Sequence, residues 1–238
     1  MKTTDTMEGL PSNTAQLIET AGKPVRLFPS AREGAPLVVL HTVQDEGESV
    51  WRAVRSITGT AFTLAAIGGL RWNDEMSPWP SPPIFKGDAP CTGGANAYLG
   101  TLTETIVPGI LERLPGKPAC LALAGYSLAG LFAVYALYRT GMFSRVASAS
   151  GSFWYPDFLA FAQTHAMAKP PECAYFSLGD KEAKTRNRIL QTVEENTRAL
   201  HQLYSQAGIT TRFEMNPGNH FQNAPERMAK GIAWVLEG

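Results

Sequence analysis

Three side chains far apart in the sequence have the types that nucleophilic acyl chemistry needs: a serine, a histidine and a carboxylate. Ser127 stands in Ala124-Gly-Tyr-Ser-Leu-Ala-Gly130, after an apolar run and before Leu131-Phe-Ala-Val-Tyr-Ala-Leu137. A serine hydroxyl is a weak nucleophile until a base takes its proton. A sharp strand-to-helix turn would hold that hydroxyl exposed on a strained backbone, with only small residues tolerated two before and two after it. Gly125 and Ala129 fill those places. The usual pattern has glycine where Ala129 stands, and alanine is still small enough. The alternative role for Ser127 is simply to cap the helix that follows.

The base must come from four histidines. His165 and His201 fall in helical patterns, and His41 ends an early strand. His220 lies in Asn216-Pro-Gly-Asn-His-Phe221, a glycine-bearing loop between a late strand and the last helix. In the chain order serine, acid, histidine, the base belongs on such a loop. The acid, which orients the imidazole and stabilises its charged form, belongs at the end of the strand in between. Ala174-Tyr-Phe-Ser-Leu-Gly-Asp-Lys-Glu182 offers two candidates there. Glu182 is preferred, three residues past Gly179 where the loop can turn back under the histidine. Asp180 is the alternative acid, and the unused carboxylate would be a charge at a helix N-terminus. The oxyanion would be held by the amide of Leu128 and by one from the loop His41–Gly47, with Val43 as the expected donor.

These loops need a scaffold whose strand ends converge. Strands are expected at Pro24–Pro29, Leu37–Val43, Phe62–Ile67, Cys120–Tyr126, Arg145–Ser150, Ala174–Leu178 and Thr210–Met215. Several are continuous apolar runs, the pattern of strands covered on both faces. Helical patterns fall at Glu48–Ile57, Ala95–Leu114, Leu128–Arg139, Asp157–Ala166, Glu182–Gln206 and Ala224–Leu236. This alternation predicts an α/β fold with a mostly parallel central sheet flanked by helices. One proline-rich stretch, Arg71–Gly94, has no periodicity. A loop of that length in a compact domain is usually functional, and Trp72, Trp79 and Phe85 predict that it is packed.

Composition narrows the function. Lys+Arg and Asp+Glu both number 21, so the net charge is zero, which argues against nucleic acid as a partner. The longest apolar stretches, Ala61–Ile67 and Leu128–Tyr138, are too short for a membrane helix. Residues 1–20 are polar and lack a secretory pattern. The three cysteines, Cys91, Cys120 and Cys173, have no metal-like spacing and read as reduced thiols, so a cytoplasmic protein is expected. No feature bears on oligomeric state.

With these residues in hand, the sequence resembles the α/β-hydrolase esterases that include esterase D and the ferric-siderophore esterases. The likeness covers most of the chain. It rests on Gly125-Tyr-Ser-Leu-Ala-Gly130, Ser150-Gly-Ser-Phe-Trp154, Ser177-Leu-Gly-Asp-Lys-Glu182, Gly218-Asn-His220 and Thr92-Gly-Gly-Ala-Asn-Ala-Tyr-Leu99 leading to Ile106-Val-Pro108. The resemblance implies an α/β-hydrolase fold and serine-dependent hydrolysis of a small-molecule ester, siderophore-type or short acyl, without metal or organic cofactor. It also implies that Arg71 and the loop after it border the substrate mouth. One departure is His41-Thr42, where relatives carry Asp-Gly or His-Gly. Trp154 and the strand at Ala174 stand too close for a separate cap, so residues 1–238 are expected to form a single domain with an open cleft. Arg71–Gly94, Phe153 and Trp154 would shape that cleft. Acyl transfer or thioester cleavage on the same residues, and a non-catalytic binding protein on the hydrolase fold, are the competing readings.

Overall fold

The computed structural model describes residues 15–84 and 87–238; Phe85 and the start of the polar N-terminal stretch lie outside the described residues. The chain opens with β1 (Gln16–Thr20), β2 (Lys23–Phe28), β3 (Leu37–His41), α1 (Gly47–Ile57) and β4 (Thr63–Ile67). A short helix α2 (Trp72–Glu75) and the two-residue strands β5 (Pro80–Ser81) and β6 (Cys91–Thr92) follow. Next come α3 (Ala95–Thr101), a π-helical stretch (Leu102–Ile106), α4 (Val107–Leu111), β7 (Leu121–Tyr126), α5 (Leu128–Ala136) and β8 (Arg145–Ala149). The chain continues through α6 (Phe158–Thr164), β9 (Cys173–Gly179), a 3-10 turn (Leu190–Thr192), α7 (Val193–Gln206), β10 (Thr210–Asn216) and α8 (Ala224–Glu237).

Eight strands form one sheet in the order β1-β2-β4-β3-β7-β8-β9-β10. β1 and β2 pair antiparallel with their neighbours, and every pairing from β4 to β10 is parallel. This is the α/β-hydrolase arrangement the sequence implies. β3, β4 and β9 are buried at every position, as their apolar runs require. Residues of α1 and α8 make the core with one face of the sheet. Those of α3 to α7 make a larger core with the other. Only α6 and its loops lie between β8 and β9, so no separate cap is inserted there. Among the described residues no helix is long and apolar enough to cross a membrane.

Three elements differ from expectation. β1 is an extra edge strand, turned into β2 through Ala21 and Gly22, both at positive φ (50° and 69°), as a tight hairpin turn needs. The helix expected over Ala95–Leu114 widens to π geometry just before Pro108, whose ring nitrogen has no hydrogen to donate. The helix expected from Glu182 starts only at Val193. Asn187 Oδ1 accepts from the amides of Ile189 (2.9 Å) and Leu190 (3.3 Å), opening the helical run there and leaving residues 182–189 as a loop.

Candidate active site

Ser127 lies between β7 and α5 with φ 59° and ψ −125°, a strained conformation for a residue with a side chain. The turn closes because Gly125 has no Cβ; one placed there would strike the backbone carbonyl of Ala129. The Ser127 side chain makes no capping bond to α5. Its Oγ stands 3.0 Å from His220 Nε2 and 3.3 Å from Ser152 Oγ. The Ser152 amide in turn donates to the Ser127 carbonyl (3.1 Å), tying the loop after β8 to the elbow.

His220 is carried on the loop between β10 and α8. Its Nδ1 lies 2.7 Å from Glu182 Oε2, and its carbonyl accepts from the Tyr126 hydroxyl at 2.7 Å. With a carboxylate facing Nδ1, that nitrogen carries the hydrogen, and Nε2 is left to accept the Ser127 proton. Glu182, and not Asp180, meets the imidazole. Asp180 Oδ1 accepts from the Gly218 amide at 2.7 Å and so braces the histidine loop. Glu182 Oε1 accepts from the Gly179 amide (2.7 Å) and the Ser150 hydroxyl (2.7 Å). Burial pushes the Glu182 carboxyl upward, but the His220, Ser150 and Gly179 bonds outweigh it and hold the group below the usual carboxylate range.

One residue that sequence reasoning missed completes this cluster. Arg227, on α8, has a side chain only 2% exposed and places Nη1 3.1 Å from Glu182 Oε1. The same nitrogen reaches Tyr126 Oη (3.2 Å) and Ser150 Oγ (3.3 Å), and Nη2 donates to the Pro217 carbonyl at 2.7 Å. Its only sequence signal is a charge inside the apolar stripe of a helix, flanked at helical spacing by Gly231 and Val235.

The remaining expected residues divide. The Leu128 amide lies in the first turn of α5, where backbone N–H groups have no acceptor within the helix. Val43 is different: its amide, with that of Gln44, donates to Glu46 Oε2 at 3.0 Å, so the loop carboxylate occupies the expected second donor. Arg71 is engaged within its own segment. Its guanidinium pairs with Asp74 (3.0 Å) and Glu75 (3.3 Å), neighbours one turn along α2, and does not line the cavity beside Ser127. Trp154 does line it, whereas Phe153 is wholly buried in the core.

That cavity has a volume of about 460 Å³ and reaches Ser127, Leu128 and His220. The stretch expected as a packed functional loop supplies one wall through Trp72, Asn73, Ser81 to Ile84, Asp88, Ala89 and Cys91. Trp79 anchors it, donating from Nε1 to the Pro156 carbonyl (3.0 Å) while its own carbonyl accepts from Tyr155 (2.5 Å). Asn187 of the loop after β9 donates to the Ile84 carbonyl (3.3 Å). Beneath the wall, a buried Lys23–Glu75 pair (2.7 Å) sits near His41, whose Nε2 meets the Tyr98 hydroxyl at 2.9 Å.

Several known proteins are similar to this chain. A Bacillus subtilis protein, "Uncharacterized protein YbbA", is 28% identical over 142 residues, 58% of this chain and 56% of that protein. The chain thus spans about half the length of the curated relative it matches. The solved structure of the siderophore hydrolase EstB from Aspergillus nidulans superposes with a TM-score of 0.72 at 20% identity, covering 99% of this chain and 98% of that one. An IroE-like serine hydrolase from Shewanella oneidensis gives a TM-score of 0.76 at 16% identity, covering 94% and 80% of the two chains. At these identities the structures establish the shared fold. The family described as putative esterase matches residues 48–224, most of the described fold and all of the loops around Ser127 except the segment before α1 and most of α8. By that match the chain belongs to the putative esterase family.

Proposed function

We propose that this protein cleaves a small-molecule carboxylic ester through an acyl-enzyme on Ser127. The observation that carries the reading is the line Ser127 Oγ, His220 Nε2, His220 Nδ1, Glu182 Oε2, with contacts of 3.0 Å and 2.7 Å. His220 takes the Ser127 proton as Oγ attacks the acyl carbon, and Glu182 stabilises the imidazolium that forms. The tetrahedral oxyanion is held by the Leu128 amide at the start of α5. His220 then gives its proton to the leaving alcohol, and water, activated by the same imidazole, releases the acid and restores Ser127.

The cavity wall suits an ester whose acyl or alcohol part is apolar or aromatic, lying against Trp72, Trp154 and the Pro82-Pro83-Ile84 run. Siderophore-type and short acyl esters both fall within that description. The free thiols of Cys91, Cys120 and Cys173 agree with work in a reducing compartment, the cytoplasm. The test is direct. A fluorophosphonate probe is expected to label Ser127, and Ser127→Ala to lower p-nitrophenyl ester turnover by about a thousandfold or more. Unlabelled Ser127, or turnover unchanged in Ser127→Ala, overturns the reading.

A further inference from the structure

We infer that Arg227 is a positioning residue for ester hydrolysis, setting the charge and aim of the Glu182–His220 pair from the far side of the carboxylate. This rests on the proposed roles of Ser127, His220 and Glu182. Arg227 touches neither the cavity nor the reacting atoms, and acts through Glu182.

The guanidinium is the point at which four segments meet. Nη1 reaches Glu182 on the loop after β9, Ser150 after β8, and the Tyr126 hydroxyl at the end of β7, one residue before Ser127. Nη2 holds the Pro217 carbonyl, three residues before His220. Tyr126 in turn donates to the His220 carbonyl, so the base is gripped both at its backbone and, through Glu182, at its ring. A planar fork fixes the directions of its donors, so carboxylate and carbonyl are held in one set orientation, which a freely rotating ammonium does not impose. The geometry is not explained by stability alone. A buried guanidinium is costly, and among the described residues Nε of Arg227 is buried without a hydrogen-bond partner.

The charge matters as much as the shape. Glu182 faces two cationic partners, Arg227 permanently and His220 when protonated. Arg227 offsets part of the carboxylate's charge, so its removal would strengthen the carboxylate's hold on a protonated imidazole. The groups around the guanidinium that bear on this are few. Glu182 and Tyr126 are in contact, His220 is reached through Glu182, and Asp180 lies on the Gly218 amide. Lys230, the next turn of α8, is paired with Glu214 and Asn216.

The experiment is the pH dependence of ester kcat/KM for wild type, Arg227→Met and Arg227→Lys, with folding checked by thermal melting and Ser127→Ala as control. Arg227→Met is expected to lower kcat by about tenfold to a hundredfold with KM little changed. Its acid limb should move to higher pH by about one unit. Arg227→Lys keeps the charge and loses the fork, so it should hold the wild-type limb with a reduced kcat. An unmoved acid limb in folded Arg227→Met overturns the inference, whatever the melting temperature does. If Arg227→Met does not fold, Arg227→Lys decides: wild-type kcat, or a displaced limb, overturns it. Turnover surviving in Ser127→Ala would instead overturn the underlying reading of the site, and leaves a failure at Arg227 alone distinguishable.

Discussion

Two carboxylates sit two residues apart after β9, and reach separates their roles. Asp180 continues the strand, its amide bonded to the Asn216 carbonyl and its carboxylate to the Gly218 amide. Glu182 comes after the turn, its longer side chain folded back so that Oε1 caps the Gly179 amide while Oε2 meets His220. That fold-back needs the bare backbone of Gly179, because a Cβ there would strike the Gly218 carbonyl. Sequence spacing places both acids at the right strand end and does not choose between them, since the choice depends on which side chain the histidine loop approaches. Removing the charge of Glu182 is therefore expected to be severe and that of Asp180 mild. Glu182→Gln should lower kcat by about a thousandfold or more, as loss of the orienting anion leaves the imidazole in the wrong tautomer. Asp180→Asn keeps an oxygen for the Gly218 amide and should stay within about threefold of wild type. Steady-state kinetics of the two variants check this, and a reversed order of effects would assign the acid to Asp180.

At the scale of elements, the elbow is a contact between a strand end and a helix start, and its tolerance is set by which Cβ atoms exist. At Gly125 an added methyl meets the Ala129 carbonyl, backbone that cannot swing aside. Ala129 is itself fully buried. Gly125→Ala is thus expected to lower the melting temperature by several degrees or more and to abolish turnover, whereas Ala129→Gly should keep turnover and cost about 1 kcal/mol through backbone entropy. A melting curve and an ester assay on each variant test the pair; equal effects would mean that the turn is not closed by this contact. The elbow was legible in the sequence because its parts are local: an apolar strand, a small-serine-small turn and an apolar helix. So were the parallel strands, each a short buried run. Arg227 was not, because its meaning lies in contact with Tyr126, 101 positions away. The engaged Val43 amide and the Arg71 ion pairs were hidden for a related reason. Each is settled by a carboxylate three or four residues onward, Glu46 in one case and Glu75 in the other, and a spacing that permits a contact does not reveal which donor wins it.

At the scale of the whole molecule, a net charge of zero leaves no strong overall field, so pH acts through particular buried groups. The foremost is His41, at the end of β3 beneath the cavity wall, 2% exposed and flanked by the rings of Tyr98 and Phe132. Burial, with the nearby Lys23 cation, pushes its pKa from 6.5 down to about 3. The folded state therefore keeps His41 neutral while the unfolded chain takes up a proton once pH falls below about 6.5. The stability associated with this depressed value is complete above that pH and is lost progressively as pH drops toward 3. His201, lowered less by burial and Arg198, contributes with the same sign. Glu182 and Glu214, both held below 4.5, act only in more acidic solution and leave the interval from pH 7 to 5 to His41 and His201. Linkage over that interval gives a loss of about 2 kcal/mol from His41. His41→Gln keeps a polar side chain at the site and removes the titration. Whatever it costs at pH 7, its unfolding free energy in urea should fall by about 2 kcal/mol less than that of wild type between pH 7 and pH 5. Equal losses in the two proteins would show that His41 is not the group through which acid loosens the fold.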